Sequence, residues 1–125
     1  MFPKYVAIGA IHAALAIALG AFGAHGLEGR ISEHYLTVFE TGVRYQMYHG
    51  LALILLALFA DRLNQPKRLI WAGRLMQTGI ILFSGSLYVL SLTGIKVLGA
   101  ITPLGGVAFI TAWVLLIITA FKSKG

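Results

Sequence analysis

PLGGVAFITAWVLLIITAF, Pro103 to Phe121, decides the fold, because nineteen residues pass without a charged side chain. As a helix it would be about 28 Å long, which matches the hydrocarbon thickness of a bilayer. Lipid gives the backbone no hydrogen-bonding partner, so such a segment must close its own ladder as a helix or belong to a closed barrel. A barrel strand would alternate apolar and polar positions. This stretch is apolar throughout, and a transmembrane helix is expected.

Reading outward from it, three further stretches have the same character: Leu69 to Leu92, Val43 to Ala60 and Tyr5 to Gly23. With 58% hydrophobic and 11% charged residues and a mean hydropathy of +0.86, the chain is far from the balance of a water-soluble domain. The expected fold class is all-α: an integral-membrane four-helix bundle in one domain over residues 1–125. A short amphipathic helix over about 32–42 is expected between spans one and two. There Ile31, Tyr35, Val38, Phe39 and Gly42 can share one face, and Glu33, Thr37, Glu40 and Thr41 the other. One long helix from Ser32 through the second span is the alternative.

The net charge of +6 follows from orientation rather than from nucleic acid. Lys4, Arg62, Lys67, Arg68, Arg74, Lys122 and Lys124 fall on one side of a four-span chain, and Arg30, Arg44 and Lys96 on the other. Seven against three predicts cytoplasmic termini in a multi-pass plasma-membrane protein. No basic face with interleaved aromatics stands on a soluble element, so no nucleic-acid partner is expected. There is no cysteine, which removes disulfides, thiolate nucleophiles and cysteine metal sites. Lys4 and the small residues after Gly20 resemble a signal peptide, but the apolar run is long for one, and a retained first span is expected.

Local chemistry marks the breaks. Pro3 suits a helix start, and Gly20, Gly23, Gly26 and Gly29 place the first helix end near Gly23. Ser32 is an N-cap candidate, with Glu33 in the first turn. Asp61 to Arg68 reads as a short polar turn, Gly94 as a helix stop, and Thr102-Pro103 as an N-cap with proline at the first helical position. Gly9, Ala13, Ala16 and Gly20, with Gly79, Ser84, Gly85 and Ser86, offer close-packing surfaces between helices. Phe2, Tyr5, Trp71 and Phe121 on one side and Tyr35, Tyr45, Tyr48 and Tyr88 on the other fit interfacial belts. Trp113 lies deeper and is expected to face protein.

Polar side chains in or beside the spans are the functional candidates, since each costs free energy in lipid unless paired or facing a cavity. Glu40 and Arg44 stand one turn apart in the order that favours an ion pair; a lipid phosphate is the other partner Arg44 could take. His12 and His49 raise the possibility of haem between two helices, but counting residues puts them at depths several ångströms apart. Both are more simply read as interhelical hydrogen-bonding groups. Arg74, Gln77, Thr78 and Ser84 could line a proton or ion track, yet no span carries a central carboxylate. His25, Glu28, Glu33 and His34 match no tight metal spacing, and no nucleophile elbow or phosphate loop appears. No catalytic residue, cofactor or metal site is nominated, and an enzyme is not expected.

Four motifs then carry a resemblance. Gly20-Ala21-Phe22-Gly23-Ala24-His25-Gly26-Leu27, Thr41-Gly42-Val43-Arg44-Tyr45-Gln46-Met47-Tyr48-His49, Leu82-Phe83-Ser84-Gly85-Ser86-Leu87-Tyr88 and Ile101-Thr102-Pro103-Leu104-Gly105-Gly106 resemble the small bacterial membrane proteins of domain-of-unknown-function family 423. That family is similar to the animal transmembrane protein 256. The resemblance implies a multi-pass membrane protein and brings no activity with it. It directs attention to His25, Arg44, Gln46, His49, Ser84, Tyr88 and Pro103, which gather toward the outer end; the first six, together with Glu40, are the candidate polar or ligand-binding site. The expected function is non-enzymatic, structural or binding a lipid or small ligand; transport of a proton, ion or small solute is the alternative. Membrane lipid is the expected partner, and a homo-oligomer is plausible because four short helices enclose little interior.

Overall fold

A computed structural model of the protein describes residues 2–60, 62–63 and 66–122, and for Phe2 and Pro66 the backbone alone. All regular structure among the described residues is helical. Helix α1 covers Phe2–Phe22 and continues into a widened π turn, Gly23–Leu27. Helix α2 covers Glu33–Phe59. Helices α3 (Pro66–Gly79) and α4 (Gly85–Thr93) form one rod through a second π turn, Ile80–Ser84. A 3-10 turn, Lys96–Ala100, leads into α5, Thr102–Lys122. Among the described residues, three helices are long and apolar enough to cross a membrane: Pro3–Leu27, Lys67–Thr93 and Lys96–Lys122. The long helix outside that set is α2, whose N-terminal two-thirds carries Glu33, Glu40, Arg44, Gln46 and His49.

The break expected near Gly23 is displaced to Glu28, where ψ turns to 126°, followed by Gly29 at φ 80°. Glycines alone did not stop the helix, because each can hold helical dihedrals when a neighbour packs on it. The separate amphipathic helix over 32–42 is also corrected, since α2 is continuous from Glu33. Ser32 caps it as expected, its Oγ accepting from the Tyr35 N–H at 3.1 Å. Continuity at Gly42 has a tertiary cause: the Ser84 Oγ–H donates to the Gly42 carbonyl at 2.7 Å. A Cβ added at Gly42 would lie 2.8 Å from the Tyr88 ring. The backbone is held at the point where it would otherwise relax.

The order of contacts gives the topology. Along α1 and α2, Gly9 meets Gly50, His12 meets Gln46, Gly20 meets Val43 and Gly23 meets Phe39, so the two run antiparallel. Gly79 meets Phe109 and Gly105 meets Phe83, which makes the α3–α4 rod and α5 antiparallel too. Tyr5 reaches Ile70 and His12 reaches Gln77, so α1 and α3 run the same way. At the α1–α2 crossing a Cβ on Gly9 would collide with the Gly50 carbonyl oxygen. This is the close backbone approach on which membrane helix packing relies.

Below this crossing lies a dry core of Tyr5, Leu53, Leu56, Leu69, Met76, Ile80 and Phe109. Tyr5 is therefore no interfacial residue: it is 6% exposed, its ring lies on Gly73, and its hydroxyl donates to the Ile70 carbonyl at 2.6 Å. At the far end Gly94 stops α4 as expected, at φ 72° with its N–H donating to the Leu90 carbonyl. The Thr102 hydroxyl is engaged across the helices by Ser86 at 2.6 Å rather than capping α5. The polar turn expected from Asp61 to Arg68 lies partly outside the described residues, and so does Lys124.

Candidate functional site

Four side chains from four helices form one hydrogen-bonded chain. The Tyr88 hydroxyl on α4 donates to Gln46 Oε1 on α2 at 2.6 Å. Gln46 Nε2, which can only donate, reaches His12 Nδ1 on α1 at 3.0 Å. His12 Nδ1 is then an acceptor, so the ring proton sits on Nε2. That nitrogen donates to Gln77 Oε1 on α3 at 2.6 Å. Each of the three bonds then pairs one donor with one acceptor, and the order runs one way, Tyr88 to Gln46 to His12 to Gln77. Gln46 and His12 are 5% and 9% exposed. In an apolar surrounding, leaving either unpaired would cost far more than the bonds return.

His49 is bound separately, one turn along α2. Its Nδ1–H donates to the Tyr45 carbonyl at 2.8 Å, and its Nε2 accepts from the Trp113 indole N–H on α5 at 3.0 Å. The ring lies flat on Phe109, with centroids 3.6 Å apart. Trp113 thus turns its polar edge toward protein, as its depth in the span led one to expect. Both ring nitrogens of His12 and of His49 thus have hydrogen-bond partners in the protein.

The chain ends at a cleft. Gln77 lines a cavity of about 420 Å³ with Tyr5, Ile8, Leu53, Trp71, Arg74 and Thr78. That volume is in the range that holds a small ligand or a headgroup. The Arg74 guanidinium carbon stands 5.1 Å from the centre of the Trp71 ring, a cation–π arrangement. No ion pair or hydrogen bond to an acidic residue engages Arg74 among the described residues. Lys67 to Arg74 is about 10 Å along the helix, so this charge stands well inside the apolar segment.

The seven candidate residues thus separate into groups. Gln46 and Tyr88 share the chain, Ser84 clamps Gly42 beside them, and His49 lies one turn away. His25 and Arg44 are exposed and Glu40 is half-buried, none of them in this network. No ion pair joins Glu40 to Arg44 among the described residues, although the spacing favoured one; a solvated pair of long side chains gains little from being held together. Sequence reasoning passed over the joining of His12 to Gln46, the Trp113–His49 bond and the Ser86–Thr102 bond. Polarity in mid-span was the available signal, but it names a residue in need of a partner and leaves the partner open.

Continuously apolar helices, with their few polar groups spent between helices or facing a cleft, define a small all-helical membrane protein. Residues 19–106 match the family described as "Protein of unknown function (DUF423)". The chain belongs to this family. It is 57% identical to the UPF0382 membrane protein YwdK of Bacillus subtilis over 118 residues, 94% of this chain and 96% of the relative. A UPF0382 membrane protein of Staphylococcus aureus is 54% identical over 121 residues, 97% of this chain and 98% of the relative. One from Staphylococcus haemolyticus is 48% identical over 121 residues, with the same coverage. No solved structure matches the chain.

Proposed function

We propose that the protein is a four-span, non-enzymatic plasma-membrane protein, with α2 as the fourth span and both termini cytoplasmic, that binds a small anionic amphiphile in the cleft between α1 and α3. Arg74 is the observation that carries this reading: a cation inside an apolar segment, beside a cavity, without an acidic partner among the described residues. Ile8, Leu53 and Trp71 supply an apolar wall, while Gln77 and Thr78 line the same cleft and can bond a headgroup. The buried His12 and His49 rings and the Ser84 hydroxyl already have protein hydrogen-bond partners, which favours binding over catalysis. The polar residues of α2 do not prevent it from spanning, because Gln46 and His49 turn inward to partners.

The test is binding of a single-chain anionic lipid, lysophosphatidylglycerol, to the detergent-extracted protein, with lysophosphatidylcholine as the neutral counterpart. Arg74→Gln should weaken the anionic ligand by about 10-fold or more, as loss of one charge-assisted hydrogen bond predicts, and leave the neutral one unchanged. Equal binding by wild type and variant would refute the assignment. Proton movement is the second reading, favoured by the one-way order of the Tyr88–Gln46–His12–Gln77 chain. It ranks below binding because two of the four links are amides, which order a chain without titrating. Proton leak in reconstituted vesicles that falls on Gln46→Leu substitution would reverse the ranking.

A further inference from the structure

A second cleft lies across Trp71 from the first, between the start of α3 and the end of α5. It measures about 470 Å³ and is lined by Lys67, Arg68, Trp71, Leu75 and Leu115. Two of the five are cations and none is acidic. Arg68 Nη1 is buried and has no hydrogen-bond partner among the described residues. A buried guanidinium N–H without an acceptor loses its hydration and receives nothing in return, a cost of about 1–3 kcal/mol or more, and native structures seldom leave such a donor unmatched. Its natural complement is an anion with two or three oxygens in a plane that a guanidinium fork can meet.

We propose that this cleft is the headgroup site of an anionic phospholipid of the cytoplasmic leaflet, with the lipid phosphate held by Arg68 and Lys67 and an acyl chain lying on Trp71, Leu75 and Leu115. Three observations choose a lipid over a soluble anion. The cationic rim stands at the start of the segment that enters the membrane, Lys67–Thr93, where a headgroup would lie. The floor is apolar and includes a tryptophan that is 55% exposed, the residue type that favours the interface. Antiparallel pairing of α3 with α5 also brings Lys122, at the end of α5, to the same end, which adds positive potential on the side that anionic lipids enrich. The site depends on the membrane placement of α3 proposed above and not on the occupant of the Arg74 cleft.

The experiment counts lipids retained by the full-length protein in detergent, by native mass spectrometry, after titration with phosphatidylglycerol, phosphatidylcholine or inorganic phosphate. Wild type should retain phosphatidylglycerol in preference to phosphatidylcholine. Arg68→Gln should weaken retention by about 10-fold or more, and Lys67→Gln by less, because a flexible ammonium is a less specific partner. Arg68→Lys keeps the charge, loses the fork, and should fall between wild type and Arg68→Gln. Phosphatidylglycerol that stays bound in Arg74→Gln and is lost in the Arg68→Gln, Arg74→Gln double variant is held in this cleft, which separates failure here from failure of the α1–α3 cleft. Circular dichroism and the detergent melting temperature establish that each variant is folded. Equal retention of the two phospholipids, retention unchanged in folded Arg68→Gln, or competition by millimolar inorganic phosphate would each overturn the assignment to a lipid.

Discussion

Gln46 shows how much one amide can hold in an apolar setting. Its oxygen accepts from Tyr88 and its nitrogen donates to His12, so Gln46→Leu removes two interhelical bonds and leaves two buried polar groups facing a side chain of similar size. Such bonds in membrane proteins contribute about 0.6 kcal/mol each, with a maximum near 1.7. The expected loss is about 1–3 kcal/mol, read as a lower melting temperature in detergent; an unchanged melt would mean that the amide does not bridge the helices. His25→Ala and Arg44→Ala, at exposed positions, should each change stability by less than about 0.5 kcal/mol. The sequence presents all three residues as equals. Their division comes from which face of its helix each occupies and from what packs there, which spacing along one helix does not reveal.

At the scale of elements, the glycine pair Gly105-Gly106 offers a controlled comparison. A Cβ on Gly105 would strike the backbone of Phe83, while one on Gly106 meets nothing within 4 Å. Backbone cannot swing aside as a flexible side chain would, so Gly105→Ala should cost about 1–3 kcal/mol through forced separation of α5 from the π turn. Gly106→Ala should be neutral or stabilising by up to about 1 kcal/mol, because alanine is the better helix former. Thermal melts of the two variants decide the matter, and equal effects would contradict the close approach of α5 to Ile80–Ser84. The sequence presented the pair only as part of the motif Ile101 to Gly106, without distinguishing its members. The widened turn was equally silent, since Ile80-Ile81-Leu82-Phe83-Ser84 reads as ordinary apolar helix. It is tertiary contact, Ser84 to the Gly42 carbonyl and Phe83 against Gly105, that gives the extra residue in the turn its place.

For the whole molecule, orientation is the first property to test. Seven basic residues on one side predict that a fluorescent-protein fusion at the C-terminus will glow and an alkaline-phosphatase fusion there will be inactive, with the reverse for fusions in the 94–101 connection. An active phosphatase at the C-terminus would invert the topology and move the Lys67–Arg68 cleft to the other leaflet. The two ends of the molecule also differ in content. A dry core of Leu53, Leu56, Leu69 and Met76 occupies one end, and the polar chain, with the Ser84 and Ser86 bonds, lies toward the other. The clefts open at the dry end, where Arg68 and Arg74 enter from α3.

The sequence by itself determined the environment, the helical class, the approximate helix positions and the family, because an apolar run in lipid has only one way to satisfy its backbone within a single segment. It also named nearly every polar residue that bears on the site. Tertiary structure alone decided that Glu33 to Phe59 is one helix, that His12 joins Gln46 and Gln77, and that Arg74 and Arg68 each face a cleft. The reason is one of range: backbone hydrogen bonds in a helix close within four residues and follow local composition. A buried side chain takes its partner from another helix, 34 to 65 positions away in this chain, and that pairing exists only once the helices have packed.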